Sequence, residues 1–207
     1  MKKIITILAT FMLTTMSINL AKAEGPTIGF SASYTMINAS GTETESTETT
    51  NASVSNDVAI GSIFVENNFG SFSLGLDYIP FKADVSSKTK SRADSNTEGD
   101  TGTNTAQAEI SNHITVYTIV PFGNGMFVKA GVAQVDVNTK ESLNSGSTYG
   151  DDTIYGGQIG FGFLNDNWRL ALEYTDYEQV SLTSQTNSDN KVTADLDTTA
   201  IKLSFNF

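Results

Sequence analysis

The chain has 207 residues, no cysteine and a formal net charge of −11 at neutral pH. The length fits one domain, and the lack of cysteine excludes disulfides, thiolate metal sites and a thiol nucleophile. The excess of acidic residues argues against nucleic acid or an anionic membrane surface as a partner.

The first 23 residues have the pattern of a secretory signal peptide. A basic start, Met1-Lys2-Lys3, precedes a mostly apolar stretch from Ile4 to Leu20 and a small-x-small site at Ala21-Lys22-Ala23. This pattern is typical of a cleaved signal, and the apolar stretch is short for a permanent helical anchor. We therefore expect residues 1–23 to be removed and residues 24–207 to form the domain. Losing three lysines with the signal would take the formal charge from −11 to −14.

Beyond residue 23, apolar and polar residues alternate in short segments. A period of two is typical of a β-strand with one apolar and one polar face. Eight such strands are predicted, at about Thr27–Ile37, Ser53–Val65, Ser71–Tyr78, Ala108–Val120, Met126–Val137, Thr153–Phe163, Trp168–Tyr177 and Thr199–Phe207.

Two of these strands have an ambiguous phase. In the second, one apolar set competes with another on the opposite face. The two sets are Val58, Ile60 and Phe64, and Ala59, Ile63 and Val65. In the fifth, the apolar positions change parity before Val135 and Val137, which predicts a bulge near Gln134. In the fourth, one face is predicted to hold Ile110, Ile114, Val116 and Val120.

The connections between the strands alternate in length. Long polar segments, at about 38–51, 81–105, 138–152 and 178–197, are predicted to be loops, and short turns join the other strand ends. Transmembrane β-barrels have this asymmetry, with short periplasmic turns and long outer loops. A soluble lipocalin-type barrel also has eight strands, but its apolar face points inward around a ligand.

Aromatic residues divide by height along the strands, which favours the transmembrane barrel over the soluble one. Near the short turns are Phe64, Phe72, Phe127, Phe163, Trp168, Phe205 and Phe207. Near the long connections are Tyr34, Tyr78, Tyr155 and Tyr174. Two such bands match the aromatic girdles at the two membrane interfaces.

The last strand, Thr199 to Phe207, resembles the terminal strand of outer-membrane β-barrel proteins of Gram-negative bacteria. Its apolar face consists of Ile201, Leu203, Phe205 and Phe207. With the stretch Glu173 to Tyr177, the chain resembles the small OmpA/OmpX-type barrels. The resemblance implies an all-β, eight-stranded antiparallel up-and-down transmembrane β-barrel, in which the terminal strand serves as the assembly signal.

The resemblance also implies a function without catalysis, namely envelope integrity or surface contact through long extracellular loops. It implies a monomer with its termini in the periplasm. The implied partners are outer-membrane lipid, lipopolysaccharide and the barrel-assembly machinery. Two alternatives stay open: a narrow channel for water, ions or small hydrophobic molecules, and a lipid A-modifying enzyme.

The interior of an eight-stranded barrel is just wide enough for side chains. Strand parity places five charged residues there: Asp77, Lys129, Arg169, Glu173 and Lys202. We expect these charges to pair with one another, because unpaired charges in a small lumen are costly. Counting from the short-turn ends puts Glu173 beside Lys202, with Arg169 as a further partner.

His113 is the only histidine in the chain. One type of lipid A enzyme has a His-x-Ser arrangement, whereas this run is Asn112-His113-Ile114-Thr115, with no adjacent acid. We therefore predict no catalytic residue. Segment 94–100 resembles a calcium loop, but Thr105 occupies the position where such a loop needs glutamate. No metal site and no cofactor are expected.

Overall fold

The computed structural model describes residues 26–45, 48–92, 102–143 and 146–207. The expected signal peptide (residues 1–23) and the calcium-like segment 94–100 lie outside these ranges. The strands are β1 (Thr27–Glu45), β2 (Glu48–Asn68), β3 (Ser73–Ile79), β4 (Ala83–Arg92), β5 (Gly102–Phe122), β6 (Met126–Ser142), β7 (Asp151–Leu164), β8 (Trp168–Tyr177), β9 (Val180–Thr183) and β10 (Lys191–Asn206). Within the described ranges, no helix is long and apolar enough to cross a membrane.

The strands form one antiparallel sheet that closes on itself. Neighbours follow the order β1-β2-β3-β5-β6-β7-β8-β10, and β10 pairs again with β1. Strand β4 extends the position of β3 along β5, and β9 extends the position of β8 along β10. The ten strands therefore occupy eight positions, which confirms the predicted eight-stranded up-and-down barrel.

Near the short turns, the outer wall of the barrel is apolar. In β8, exposed Trp168, Leu170, Leu172 and Tyr174 alternate with inward residues such as Ala171. Strands β1, β7 and β10 have the same pattern. Their exposed residues include Ile28, Phe30, Tyr34, Met36, Ile159, Phe161, Phe163, Ile201, Leu203, Phe205 and Phe207. The predicted apolar faces of these strands are confirmed.

Two phenylalanines that were predicted to face outward in the aromatic band near the short turns (the lower girdle) lie inside the barrel instead. Phe64 is 4% exposed and Phe127 is 1% exposed, whereas Phe72, Phe163 and Trp168 are at the surface. Phe64 fits because Gly29 and inward neighbours leave space for its ring. The position of these residues near the short turns was predicted correctly, but the prediction that they face outward was wrong.

Farther from the short turns, the apolar residues change to the inner face. In β6, Val135 and Val137 are buried, while Gln134 and Asp136, which alternate with them, are less so. Pairing with β7 is continuous from Met126 to Asn138. The predicted bulge near Gln134 is therefore wrong. The strand keeps its phase, and the apolar residues change from its outer face to its inner face.

The irregularity lies in β5, where pairing with β6 shifts between Ser111 and Ile114. Asn112, within this step, has φ 51°. The extra residue places Ile110 opposite inward Val137. The sequence had predicted that Ile110 shares the outer face of Ile114. It does not, because a bulge reverses the parity of the residues beyond it.

The ambiguous phase of the second strand is explained by the change of the apolar face along the barrel. Its inward set is Val58, Ile60 and Phe64, and its outward set is Ala59, Ile63 and Val65. Both sets are apolar because Ile63 and Val65 face out of the lower wall, whereas Val58 fills the upper interior.

Much of the predicted loop sequence is strand. The hairpin of β1 and β2 pairs continuously from Thr27 with Glu66 to Glu45 with Glu48. Strand β4 and the start of β5 occupy part of segment 81–105, and β9 occupies part of segment 178–197. These segments are polar because half of their residues face outward, while the inward residues form an apolar core. Its buried members include Ile37, Val85, Val135, Ile154, Tyr177, Leu182 and Leu196.

A methyl group at Gly29 would overlap the Phe64 ring and the backbone carbonyl oxygen of Phe205. We expect Gly29→Ala to lower the free energy of unfolding by about 1–3 kcal/mol, because the crowded wall must move. Urea unfolding in lipid vesicles measures the change. Gly157→Ala is the matched control, because a Cβ atom there meets nothing within 4 Å. Equal effects of the two variants would contradict the packing of Phe64 beneath Gly29.

Candidate functional site

Two buried ion pairs lie in the middle of the lumen. Lys202 Nζ is 2.7 Å from Asp77 Oδ2, and Lys129 Nζ is 2.6 Å from Glu173 Oε1. All four side chains are at least nine-tenths buried. The Ser62 hydroxyl also donates to Asp77 Oδ2 at 3.1 Å. Each carboxylate therefore has a direct cationic partner, as buried charges require.

A third ion pair lies closer to the short turns. Arg169 pairs with Glu66, and the Tyr117 hydroxyl donates to the same carboxylate at 3.1 Å. The Arg169 guanidinium stacks over the Phe64 ring, 4.7 Å from its centroid. Lys129 lies 4.3 Å from the centroid of Tyr117. The third pair is thereby joined to the second through Tyr117.

An apolar layer closes the lumen at this level. Its buried members are Tyr117, Ile119, Phe127 and Ala171. Tyr117 extends over Gly75, where a side chain would overlap the phenol ring. Aromatic rings and three ion pairs thus block the lumen above a cavity of about 400 Å³ at the short-turn end.

All five charged residues expected in the lumen lie inside the barrel, but they pair differently from the expectation. Glu173 binds Lys129, and Lys202 binds Asp77 across the lumen. Lys202 lies opposite Ala171 and not opposite Glu173.

Two features of the sheet explain the exchange of partners. Lys129 and Glu173 both pair with Gly160, one on each side of β7. Because Gly160 has no side chain, nothing on the intervening strand separates the lysine from the carboxylate.

Sequence reasoning missed Glu66, which it placed in a turn.

His113 lies inside the barrel, above the ion pairs. The β5 bulge places it opposite Ile79, and its Nε2 is 2.8 Å from the Tyr177 hydroxyl. An enzymatic site would need a base in contact with a nucleophile that it activates. His113 Nε2 is hydrogen-bonded to the Tyr177 hydroxyl rather than to the Thr115 hydroxyl. The arrangement therefore does not support the enzymatic alternative.

A cavity of about 390 Å³ lies between the ion pairs and the upper apolar core. Its floor includes Asp77, Glu173 and Lys202, and its sides include Ile37 and Ile110. The lumen is therefore filled at two levels, with an internal chamber between them.

Beyond the band of Tyr34, Tyr78, Tyr155 and Tyr174 (the tyrosine band), Glu109 of β5 joins β6 to the residue that precedes β4. It binds Lys82 at 2.9 Å and Lys140 at 2.7 Å. These hydrogen bonds, chiefly that from Lys140, lower the pKa of the Glu109 carboxyl. The stabilisation is present above the ordinary carboxyl pKa and is lost as pH falls through the lowered value. It is small, because both lysines are largely exposed.

Double-mutant cycles test the partners in the lumen. Lys202→Met alone leaves Asp77 buried and charged, so we expect a loss of about 3–5 kcal/mol in the free energy of unfolding. Adding Asp77→Asn should recover part of this loss. Urea unfolding in lipid vesicles for both single variants and the double variant gives the coupling energy.

The combination of Lys202→Met with Glu173→Gln is the matched control. Its coupling should be smaller than that of Lys202 with Asp77, because Glu173 retains Lys129. Strong coupling to Glu173 and additivity with Asp77 would mean that the pairing described above is wrong.

No protein-family model matches the chain, and no curated protein matches its sequence. Similar solved structures include Ail of Yersinia pestis, at 9% identity and TM-score 0.38, covering 83% of this chain and 98% of Ail. Neisserial surface protein A has 11% identity and TM-score 0.36, with 86% and 99% covered. The Pseudomonas putida toluene transporter TodX has 10% identity and TM-score 0.39, with 78% and 50% covered. Such low similarity carries no functional argument, and the barrel assignment rests on the strand pairing of this chain.

Proposed function

We propose that the protein is an outer-membrane β-barrel of the small OmpA/OmpX type that acts through its extracellular part. Its role is envelope integrity or surface contact, and it has no catalytic activity. The observation that carries the proposal is the reversal of the apolar face along the strands. The lower wall is apolar outside, whereas the upper part is polar outside and apolar inside.

The lower wall fits a lipid environment. In β1, outward apolar residues run from Ile28 to Met36, a stretch of nine residues. A tilted transmembrane strand needs roughly 9–11 residues. A continuous exposed apolar surface of this kind is unfavourable in water and favourable in a membrane.

The upper part fits an aqueous environment. Tyr34 donates to Asp57 at 2.8 Å, and Asn38 donates to Asp197 at 3.0 Å, on the outside of the sheet. From Ile37 to Glu45, β1 continues for about 30 Å along the strand, at roughly 3.3 Å per residue. The protein therefore presents a folded barrel extension, rather than unstructured loops, to the outside.

A second candidate function, passage of ions through the barrel, is opposed by the filled lumen. The ion pairs and the layer around Phe127 occupy its lower half, and the core around Val135 and Ile154 occupies its upper half.

We expect no steady single-channel steps when the protein is reconstituted in planar bilayers. The reason is the filling at both levels of the lumen. A general porin in the same bilayers shows that insertion and recording work. Reproducible steps that scale with the amount of folded protein would contradict the closed lumen and would support the channel alternative.

Shortening the hairpin of β1 and β2 tests the extracellular role. Thr42 pairs with Asn51, so removing residues 43–50 and joining the ends by Asn-Gly keeps the register. We expect the shortened barrel to fold and to lose at least half of the protein's effect on cell autoaggregation and detergent resistance. The comparison uses a strain that lacks the native protein.

Gly157→Ala serves as the control for the shortened hairpin, at equal surface amounts. Cysteine labelling of intact cells verifies the orientation: Asp189→Cys should be labelled from outside, and Asp166→Cys should not. Unchanged aggregation and resistance with the shortened hairpin would contradict the extracellular role, and labelling at residue 166 would reverse the orientation. The signal peptide and the assembly signal in the last strand stay predictions.

A further inference from the structure

The wall of the barrel has an opening between β2 and the junction of β3 with β4. Pairing between β2 and β3 ends at Ile63 with Tyr78, although β2 continues to Glu48. Among the described residues, the backbone pairing of β4 is with β5 and not with β2. Pro80, which cannot donate a backbone hydrogen bond, lies where β3 ends. Part of β2 therefore lacks a backbone-paired neighbour on this side, and above the opening the Asn56 side-chain amide donates to the Asp84 carbonyl oxygen at 2.8 Å.

The internal chamber continues into this opening. Its lining runs from Glu173 and Lys202 in the lumen to Ala59, Phe81 and Lys82. Ala59 faces outward on β2, and Phe81 and Lys82 are exposed. Because one continuous cavity is bordered by inward and by outward residues, it connects the interior with the outer surface of the wall.

The opening lies near the outer tyrosine band. Ala59 pairs with Tyr34, which belongs to that band, and Ile63 below it pairs with Tyr78. Phe81 covers the lower border, 3.5 Å from the Cβ position of Gly61. At this height the opening faces the boundary between the outer leaflet and water, where small amphiphilic molecules accumulate.

The chamber has an apolar side wall and a polar inner end, and Asn56, Lys82 and Asp84 add polar groups at the rim of the opening. The apolar lining includes Ile37, Val58, Ile60, Ile79 and Ile110. At the inner end, His113 Nδ1 and Gln158 Oε1 are buried and have no hydrogen-bond partner among the described residues. Gln158 is 7% exposed. Buried polar atoms without partners are rare, and these two line the cavity, where a ligand can reach them.

We propose that this chamber binds a small, mostly apolar molecule with one hydrogen-bonding end, which enters from the outer leaflet between β2 and the β3–β4 junction. The apolar body lies against the isoleucines, and the polar end bonds to His113 or Gln158. The volume of about 390 Å³ is in the range of small-molecule pockets. This site adds a ligand to the proposed extracellular role and does not depend on that role.

1-Naphthol is a suitable probe, and naphthalene is its partner without the hydroxyl group. Isoleucine methyl NMR spectra of the full barrel in lipid nanodiscs report where the aromatic ring binds. We expect 1-naphthol to shift the methyl groups of Ile60, Ile79 and Ile110 in a saturable manner. Ile119, which is inside the barrel but belongs to the apolar layer beneath the chamber, should not shift. Lipid-facing Ile201 should respond only to partitioning into the bilayer, without saturation.

Two comparisons make the test specific. Naphthalene should bind about five- to tenfold more weakly, because it leaves the inner polar atoms without a partner. Ala59→Trp fills the opening and should remove most of the saturable shift. Ala130→Trp, which also adds a bulky residue to an outward position but on β6, away from the opening, should leave it unchanged.

Shifts at Ile60 and Ile110 that are no larger than those at Ile119 would overturn the site. Equal binding by the Ala59→Trp and Ala130→Trp variants would overturn the route of entry. Equal affinities for naphthol and naphthalene would overturn the role of the polar end. If Ala59→Trp does not fold, Ile60→Trp narrows the same chamber from inside and is judged by the same criteria.

Discussion

A β-strand cannot change which residues face inward unless a bulge is inserted, yet the surroundings of these strands change from lipid to water along their length. This constraint determines the distribution of apolar residues in the protein. In the lower wall, apolar side chains such as Leu172 and Ile201 must face outward, and the small lumen takes glycine, serine and paired charges. In the upper part, outward residues must be polar, so the same inward parity carries Ile37, Val135 and Leu196. The sheet is continuous, but its apolar residues change from the outer face to the inner face along its length.

The ion pairs follow from the same geometry. Because the outer face of the lower barrel contacts lipid, its charged side chains can find partners only in the narrow interior. Asp77 and Lys202 come from strands on different sides of the ring, and the pair of Lys129 with Glu173 crosses Gly160. Removing one partner would leave its counterpart charged and unpaired inside the barrel, which is costly. The pairs thus link distant strands and fill the space that an open channel would need.

Alternation alone predicted the eight positions of the barrel, the faces of the terminal strands and the five charged residues in the lumen. It did not predict which charges pair, because partners across the lumen depend on the shear of the ring rather than on distance from a turn. Glu66 was missed since β2 extends three residues, to Asn68, into a segment that resembles a turn. The upper strands were interpreted as loops because their outward polar residues dominate the composition. In segment 178–197, the alternating inward residues Val180 and Leu182 were the signal that the chain is paired.

The polar exterior of the barrel extension affects how antibodies would recognise the protein. Along β1 and β2, alternate residues such as Asn38, Ser40, Ser53 and Ser55 face outward, while those between them, such as Ala39 and Val54, are turned toward the interior. Any patch on this surface therefore combines every second residue of several neighbouring strands. A linear peptide from the same region exposes both sets of side chains and lacks the neighbouring strands, so it reproduces little of the epitope. Immunisation against the native surface needs the folded barrel.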